Sequence, residues 1–336
     1  VLLIFSALAY YNYEEKVIKN QKYSELKAIA QLKKDQLIKW RTERLSEAAF
    51  FPSQQLLIEN TQKLMENKDY KPANDYLYAT LNNLKINHSY QNIFICSYEN
   101  EILYSLDSEF NTLDTSELKE MKEVFKSKEI IIKDFYYCKT HNQIHLDFVS
   151  PIINENQKTI AVLVFRINPN DYLFPLIEKW PLPSETGESF LFRVEGDEVV
   201  YLNPLKENKN QTLSFKNTLD EKELISVKGA LGLKGIVEGI DYLGQSVLAD
   251  LNSIDETPWF IVSKIDQSEV YSELRYRATA IAFVVFLSLL VFTSGILLLY
   301  KYRQSNLYKE LFLKEKEFSD AKEEFKTALY SIGDAV

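Results

Sequence analysis

Cys138, His141, His145 and Asp147 form the densest group of chemistry-bearing side chains in the chain, spaced Cys-x2-His-x3-His-x-Asp. A thiolate, imidazoles and a carboxylate are the ligand types that zinc takes. The string KTHNQ around His141 reads as a hairpin turn, however, whereas His145 and Asp147 fall on the strand that follows. A turn residue set apart from two strand residues does not converge on one ion, so the sequence assigns no metal and no cofactor. Alternation along 144–150 offers a different chemistry. His145, Asp147 and Val149 share one face of the strand, and Ile144, Leu146 and Phe148 share the other. On a covered face, an imidazole beside a carboxylate can receive an amine, a hydroxyl or a carboxylate of a small molecule; on a solvated face the pair is ordinary surface. Tyr104, Tyr136 and Tyr137, on neighbouring strands, join His145 and Asp147 as candidate ligand contacts, with core packing as the alternative in a chain of 21 tyrosines.

Other groups carry less. Trp40 and Arg44 lie one helical turn apart, which suits a Trp packed beneath a sheet with the Arg capping or paired; a ligand carboxylate held by Arg41 or Arg44 is the alternative. GALGLKG (229–235) lacks the spacing of a phosphate loop and leads into a strand, so its glycines read as a helix stop and a turn. Asp241, Tyr242 and Gly244 read as a turn, and Trp259 as a core residue of the second half. No nucleophile-elbow, zinc-protease or protein-kinase motif occurs.

The elements that must hold these residues follow from periodicity. Residues 13–49 contain neither Gly nor Pro and repeat Ile18, Leu26, Ile29, Leu37, Trp40, Leu45 and Ala48 at near-helical spacing, which predicts one long helix. Strands are predicted at 92–97 and 101–105, a helix at 116–126, then strands at 129–138, 144–152 and 159–167. Beyond a joint with Pro169, Pro175, Pro181 and Pro183 the layout repeats: a hairpin from ESFLFRV and EVVYLN, a helix near 221–231, then GIVEGID, GQSVLADLN and WFIVSKI. Two copies of one α+β layout therefore stand in series.

Residues 278–300 carry no charge and are flanked by Arg275, Arg277, Lys301 and Arg303, the signature of a transmembrane helix. Val1 to Ala9 is apolar but too short to span, and reads as the outer half of a first transmembrane helix or as a signal-peptide remnant. Basic residues flank the second span on both sides, so charge does not orient it. After it, Leu311, Phe318, Phe325 and Ile332 recur seven apart, a short coiled-coil candidate. With 336 residues, 46% of them hydrophobic, the chain can build two modest cores. A net charge of −9 without a basic stripe excludes a nucleic-acid partner. Two cysteines, Cys96 and Cys138, fit no disulfide scaffold; free buried thiols and a single bridge both remain open.

Several strings resemble a known family. YLFPLIEKWPLPSETGESFLFRVEGDEVVYLNPL and VEGIDYLGQSVLADLNSIDETPWFIVSKIDQSEVYSELR are similar to the membrane-proximal half of double Cache (dCache) sensor regions in membrane receptors, notably sensor histidine kinases. NQIHLDFVSPIINENQKTIAVLVFRINP resembles the last strands of the distal Cache lobe, and FKTALYSIGDAV the opening of a cytoplasmic PAS domain. The resemblance implies an α+β fold divided as follows: the end of a first transmembrane helix (1–12), a long helix (13–49), a distal lobe (50–180) and a proximal lobe (181–267). An exit helix (268–277), a transmembrane helix (278–300), a coiled-coil signalling helix (301–324) and the start of a PAS domain (325–336) complete it. It also implies a multi-pass protein of the cell membrane with 14–274 outside and the C-terminus in the cytoplasm. One face of the distal sheet would pack on the long helix and the other would line a pocket. The implied partners are a small-molecule ligand, the membrane, a second copy of the chain and a downstream response regulator. His88, His141 and His145 all precede the span, so none is the phosphoacceptor of a histidine kinase, and this stretch is not itself an enzyme. The spaced Arg, Trp-Tyr and Asp signature of amino-acid-binding members is not found, so an amino-acid ligand does not carry over.

Overall fold

The computed structural model describes residues 2–107, 113 and 118–333. The chain divides into two units, Lys19–Val270 on one hand and its two ends, Val1–Ile18 with Tyr271–Val336, on the other. α1 (Leu2–Phe50) is one uninterrupted helix, longer at its start than the expected 13–49, because nothing before Pro52 breaks it. Within Lys19–Val270 its buried stripe is Leu26, Ile29, Ala30, Lys33, Leu37, Trp40, Arg44 and Ala48, three or four residues apart. The Lys33 ammonium is not orphaned: it donates to the carbonyls of Leu176 and Lys179 at 2.6 and 2.5 Å.

Residues 50–91, to which sequence analysis assigns no element, form a 3-10 turn and two helices, α2 (Gln55–Glu66) and α3 (Lys71–His88). Both bury an apolar stripe, Leu57, Ile58 and Leu64 on α2 and Ala73, Leu77, Leu81 and Leu84 on α3. The distal sheet follows: β1 (Asn92–Cys96), β2 (Ile102–Ser105), β3 (Ile131–Cys138), β4 (Gln143–Ile153) and β5 (Thr159–Ile167), with α4 (Leu118–Ser127) between β2 and β3. It is antiparallel throughout, in the order β2-β1-β5-β4-β3. After α5 (Leu173–Glu178) come β6 (Glu188–Glu195), β7 (Glu198–Tyr201), β8 (Lys216–Thr218), α6 (Ile225–Ala230), β9 (Gly235–Ile240), β10 (Ser246–Ser253) and β11 (Trp259–Asp266). The order β8-β7-β6-β11-β10-β9 repeats the distal sheet with one short edge strand added. The duplicated layout expected from sequence is thus present.

Period-two alternation gives the distal sheet two covered faces. Ile93, Ile95, Leu146, Phe148, Leu163 and Phe165 pack on α1, α2 and α3, with the Trp40 ring edge-on to Phe148 at 6.2 Å. Phe94, Cys96, Val149, Val162 and Val164 pack on Met121 and Val124 of α4. Trp259 corrects an expectation. It belongs to the core of the distal lobe as much as to its own, with its ring tilted 41° against Phe135 at 5.0 Å between centroids and its Nε1 donating to Asp134 at 2.8 Å. A large ring with one polar tip reaches across the joint because the partner carboxylate lies there.

In the unit of the chain ends, α7 (Gln267–Gly333) runs unbroken through 278–300. Phe283, Phe286, Leu290, Val291 and Phe292 are exposed on it, and it is the one helix among the described residues long and apolar enough to cross a membrane. Leu311, Phe318 and Phe325 of the expected coiled-coil seam are helical and exposed, and the side chain of Ile332 lies outside the described ones. The last residues of the PAS-like string, 334–336, lie outside the described residues.

Candidate ligand-binding site on the distal sheet

Strand register assembles a buried polar group beneath α4. Asp147 on β4 lies opposite Arg166 on β5 and opposite Lys133 on β3, and His145 lies opposite Tyr136. β3 carries a bulge between Lys133 and Tyr136. The extra residue lets both side chains share the α4 face although they are three apart, while Phe135 drops into the helix-side core.

Arg166, Asp147 and His145 are all but inaccessible to solvent, at 0%, 1% and 0% exposure. The guanidinium grips the carboxylate with two bonds, Nε to Oδ1 at 3.2 Å and Nη2 to Oδ2 at 3.0 Å. The Tyr136 hydroxyl donates to Asp147 Oδ2 at 2.7 Å and accepts from Arg166 Nη2 at 3.2 Å, closing a triangle. Around it, Lys133 Nζ sits 4.1 Å above the Tyr136 ring and 3.6 Å from Glu120 of α4, and the guanidinium lies over Phe94. The His145 ring leans on Tyr136 with 5.8 Å between centroids.

Burial alone raises the Asp147 pKa, but the charge and hydrogen bonds of Arg166 outweigh it and hold the carboxyl below its ordinary range. Burial pushes His145 down to about 4, with Arg166 and His141 helping and Asp147 opposing. At neutral pH the group therefore contains an ionised Asp–Arg pair and a neutral imidazole. Such a pair, desolvated and held by a phenol, can exchange partners: Arg166 can take an incoming carboxylate, and Asp147 and Tyr136 an amine or hydroxyl.

Of the residues named from sequence, His145, Asp147 and Tyr136 are brought together. Tyr104 and Tyr137 are not. Tyr104 pairs with Ile95 and packs in the helix-side core, where burial, followed by the neighbouring Tyr78, raises its pKa to about 12. It lines a separate cavity of about 600 Å³ at the β2 edge with Lys68, Asp69 and Asn74. Tyr137 pairs with Ile144, is half exposed, and gives its hydroxyl to Asn142 in the turn. Both miss the group for one reason: adjacent strand residues point to opposite faces. Arg166 is the member of the group that sequence analysis does not single out. Its signal is that it is the sole charge in TIAVLVFRI, in phase with Val162 and Val164.

The solvated-face reading of His145 and Asp147 is excluded by their burial. Arg44 behaves as expected, bonding Glu47 at 2.8 Å and the His88 carbonyl at 2.8 Å, while Arg41 reaches Glu256 of the proximal lobe at 3.2 Å. Cys96 and Cys138 are free and buried. The turn does not hold His141 away from its neighbours, contrary to the sequence reading. Its Nδ1 lies 3.1 Å from Cys138 Sγ, because the turn folds back over the end of the hairpin.

No protein-family profile matches the chain, and no curated protein sequence does either. Solved structures do. The sensory domain of the Campylobacter jejuni chemoreceptor Tlp3 superposes with a TM-score of 0.53 at 12% identity, over 77% of this chain and 98–99% of that one in its two structures, one of them bound to L-valine at 13% identity. The chain has the double Cache fold. The ligand-binding domain of the Pseudomonas aeruginosa PAO1 amino acid chemoreceptor PctB, in complex with L-Arg, gives 0.51 at 12% identity over 75% of this chain and 98% of that one. The ligand-binding domain of Mlp24 with asparagine gives 0.50 at 12% identity, over 78% and 98%. In double Cache terms, the Arg166–Asp147 group stands on the distal sheet face turned away from the long helix, the face that the resemblance expects to line a pocket.

Proposed function

We propose that Lys19–Val270 is the extracytoplasmic small-molecule sensor of a membrane receptor, and that Arg166, Asp147, Tyr136 and His145 contact the ligand. The buried Arg166–Asp147–Tyr136 triangle carries the reading. A core needs no bidentate ion pair and neutral imidazole gathered on one face, since apolar residues of similar volume pack there at no loss of stability. The ligand class that fits is a small polar metabolite with a carboxylate and an amine or hydroxyl. PctB, Tlp3 and Mlp24 support this class through the amino acids named with them. α7 carries the signal across the membrane, and binding acts by favouring one of two arrangements of the chain for which the ligand has the higher affinity.

The thermal shift of the full chain in detergent, against amino acids, carboxylates, amines and purines, tests the sensor. A compound that raises the melting temperature of the wild type and not of Tyr136→Phe supports the site. A compound whose shift survives both Tyr136→Phe and His145→Gln overturns it. A saturating ligand at a hundredfold excess stabilises by about 2.7 kcal/mol, well within reach of the measurement.

The output that suits this sensor is a histidine kinase acting on a response regulator as a homodimer, with a PAS module from 325 onward. The PAS-like string and the lack of a Pro- and Glu-patterned linker after 300 support it. A cyclic-dinucleotide synthase or a chemotaxis transducer is the alternative, the latter favoured by the chemoreceptors that share the fold. Reading the coding sequence downstream separates them. A His-bearing dimerisation helix with an ATP-binding domain supports the kinase; a GGDEF-type domain or a methylated helical bundle overturns it.

A further inference from the structure

We infer that Cys138, His141 and His145 form a binding site for a thiophilic divalent cation, zinc foremost, at the β3–β4 end of the distal sheet. The inference rests on the geometry of these three residues and stands whether or not the Arg166 face takes a metabolite.

Register places two of the donors. Tyr136 lies opposite His145 and Cys138 opposite Gln143, so Cys138 and His145 project from the same face, one step apart along the hairpin. The third comes from the connection. Residues 139–142 make the turn, and Asn142 takes a left-handed conformation with φ 53° that Asn tolerates better than most residues. The chain thereby folds the His141 ring over the end of the strand pair. Its Nδ1 is 3.1 Å from Cys138 Sγ, and its ring centroid is 5.5 Å from that of His145. One ligand atom from each residue lies within 4.8 Å of the other two.

Tetrahedral zinc, with Zn–S near 2.3 Å and Zn–N near 2.0–2.1 Å, holds such donors roughly 3.3–3.7 Å apart. Small side-chain rotations close the remaining distance. One sulfur and two imidazole nitrogens suit zinc or copper and exclude calcium and magnesium, which take oxygen. Asp147 is committed to Arg166 and Tyr136, so the fourth position falls to water or to a small donor molecule. Cys138 and His145 are fully buried and His141 is partly exposed, so the ion would enter past the turn and lock it. A buried thiol touching one imidazole and within 4.8 Å of a second, at the mouth of a hairpin, has no packing advantage over Val or Ala. Metal ligation accounts for that choice of residues.

Cobalt is the probe. The full chain, purified in detergent and stripped with chelator, is titrated with Co²⁺ while thiolate-to-cobalt charge-transfer absorption and tetrahedral d–d bands are followed. Zinc is then added as the competitor. The expected result is one equivalent bound with both band sets and displaced by zinc. Cys138→Ser should abolish the charge-transfer band. His141→Ala, at the accessible turn position, should weaken binding by more than about a hundredfold, beyond what loss of an outer-shell partner costs. Cys96→Ser should leave the spectrum unchanged. Absence of a charge-transfer band in the wild type overturns the site, as does a band that survives Cys138→Ser. Because His141 is not a core residue, its variant stays informative even if His145→Ala fails to fold.

Discussion

Arg166 in the distal lobe and Lys264 in the proximal lobe hold the same place. Each is a cation near the end of the central strand, and each lies opposite the first residue of the neighbouring strand, Asn92 for Arg166 and Glu188 for Lys264. They are satisfied differently. Lys264 Nζ is surrounded by carboxylates, Asp241 at 2.7 Å and Glu188 and Asp266 at 3.4 Å each, with the Tyr242 hydroxyl closing over Glu188 at 2.9 Å. Its three donors meet three acids, and although burial opposes it, those partners hold its pKa above the ordinary lysine value. Arg166 grips Asp147 and bonds the Tyr136 phenol, beside a second cation, Lys133, that lies against Glu120. The proximal cluster is thus over-supplied with acid and serves as an internal staple. In the distal cluster a ligand that brings both a carboxylate for Arg166 and an amine for Asp147 can enter the pair without stranding either charge. Under the proposed function, one fold position supports structure in one lobe and recognition in the other, and the difference lies in where the acids stand: on β4 for Arg166, and on β6, on β11 and after β9 for Lys264.

The comparison breaks most readily at Asp147. Asp147→Asn removes the counter-charge that the buried guanidinium grips with two bonds and should cost about 3–5 kcal/mol in chemical denaturation of the full chain. The double variant Asp147→Leu with Arg166→Met should recover most of that stability yet show no ligand-induced thermal shift. A double variant that still responds to ligand would make the distal pair a staple like its counterpart. Lys264→Met should cost about 3 kcal/mol, since Asp241 and Glu188 lose their cation, while leaving ligand-induced shifts intact. Trp259→Phe removes a hydrogen bond to the charged Asp134 between the lobes and should cost about 1.5–3 kcal/mol. Tyr136→Phe should cost only about 1 kcal/mol of stability but lose the ligand response, separating recognition from folding. The smallest effect is expected at Glu269. Burial tends to raise its pKa, but bonds from Ser184 and Thr186 hold it below the ordinary value. A carboxyl lowered in the folded state adds stability above its unfolded pKa and loses it as pH falls through the folded value. Acid titration of the melting temperature should therefore be flatter in Glu269→Gln.

Much of the architecture was legible because it rests on periodicity. β5 was expected at the boundaries it has, and the long helix was anticipated apart from its earlier start. Helices α2 and α3 were not, although their apolar stripes are regular, because the polar stretch ENKDY (66–70) interrupts the run and no capping side chain marks the starts. At the site, His145 and Asp147 were legible from alternation and Tyr136 from proximity. Tyr104 and Tyr137 show where that reasoning stops: a residue on the right strand is on the right face only if register and bulges agree.

By itself the sequence determined the long first helix, the strands, the duplicated layout and the uncharged span at 278–300, because each is a local or periodic property of the chain. Only the tertiary structure decided which acid meets which cation, that Arg166 closes on Asp147, and that His141 turns back onto Cys138 and His145. Those pairings join residues from different strands through a bulge and a left-handed turn. Displacing one strand by a single residue would send that strand's share of these side chains to the opposite face and break the pairings.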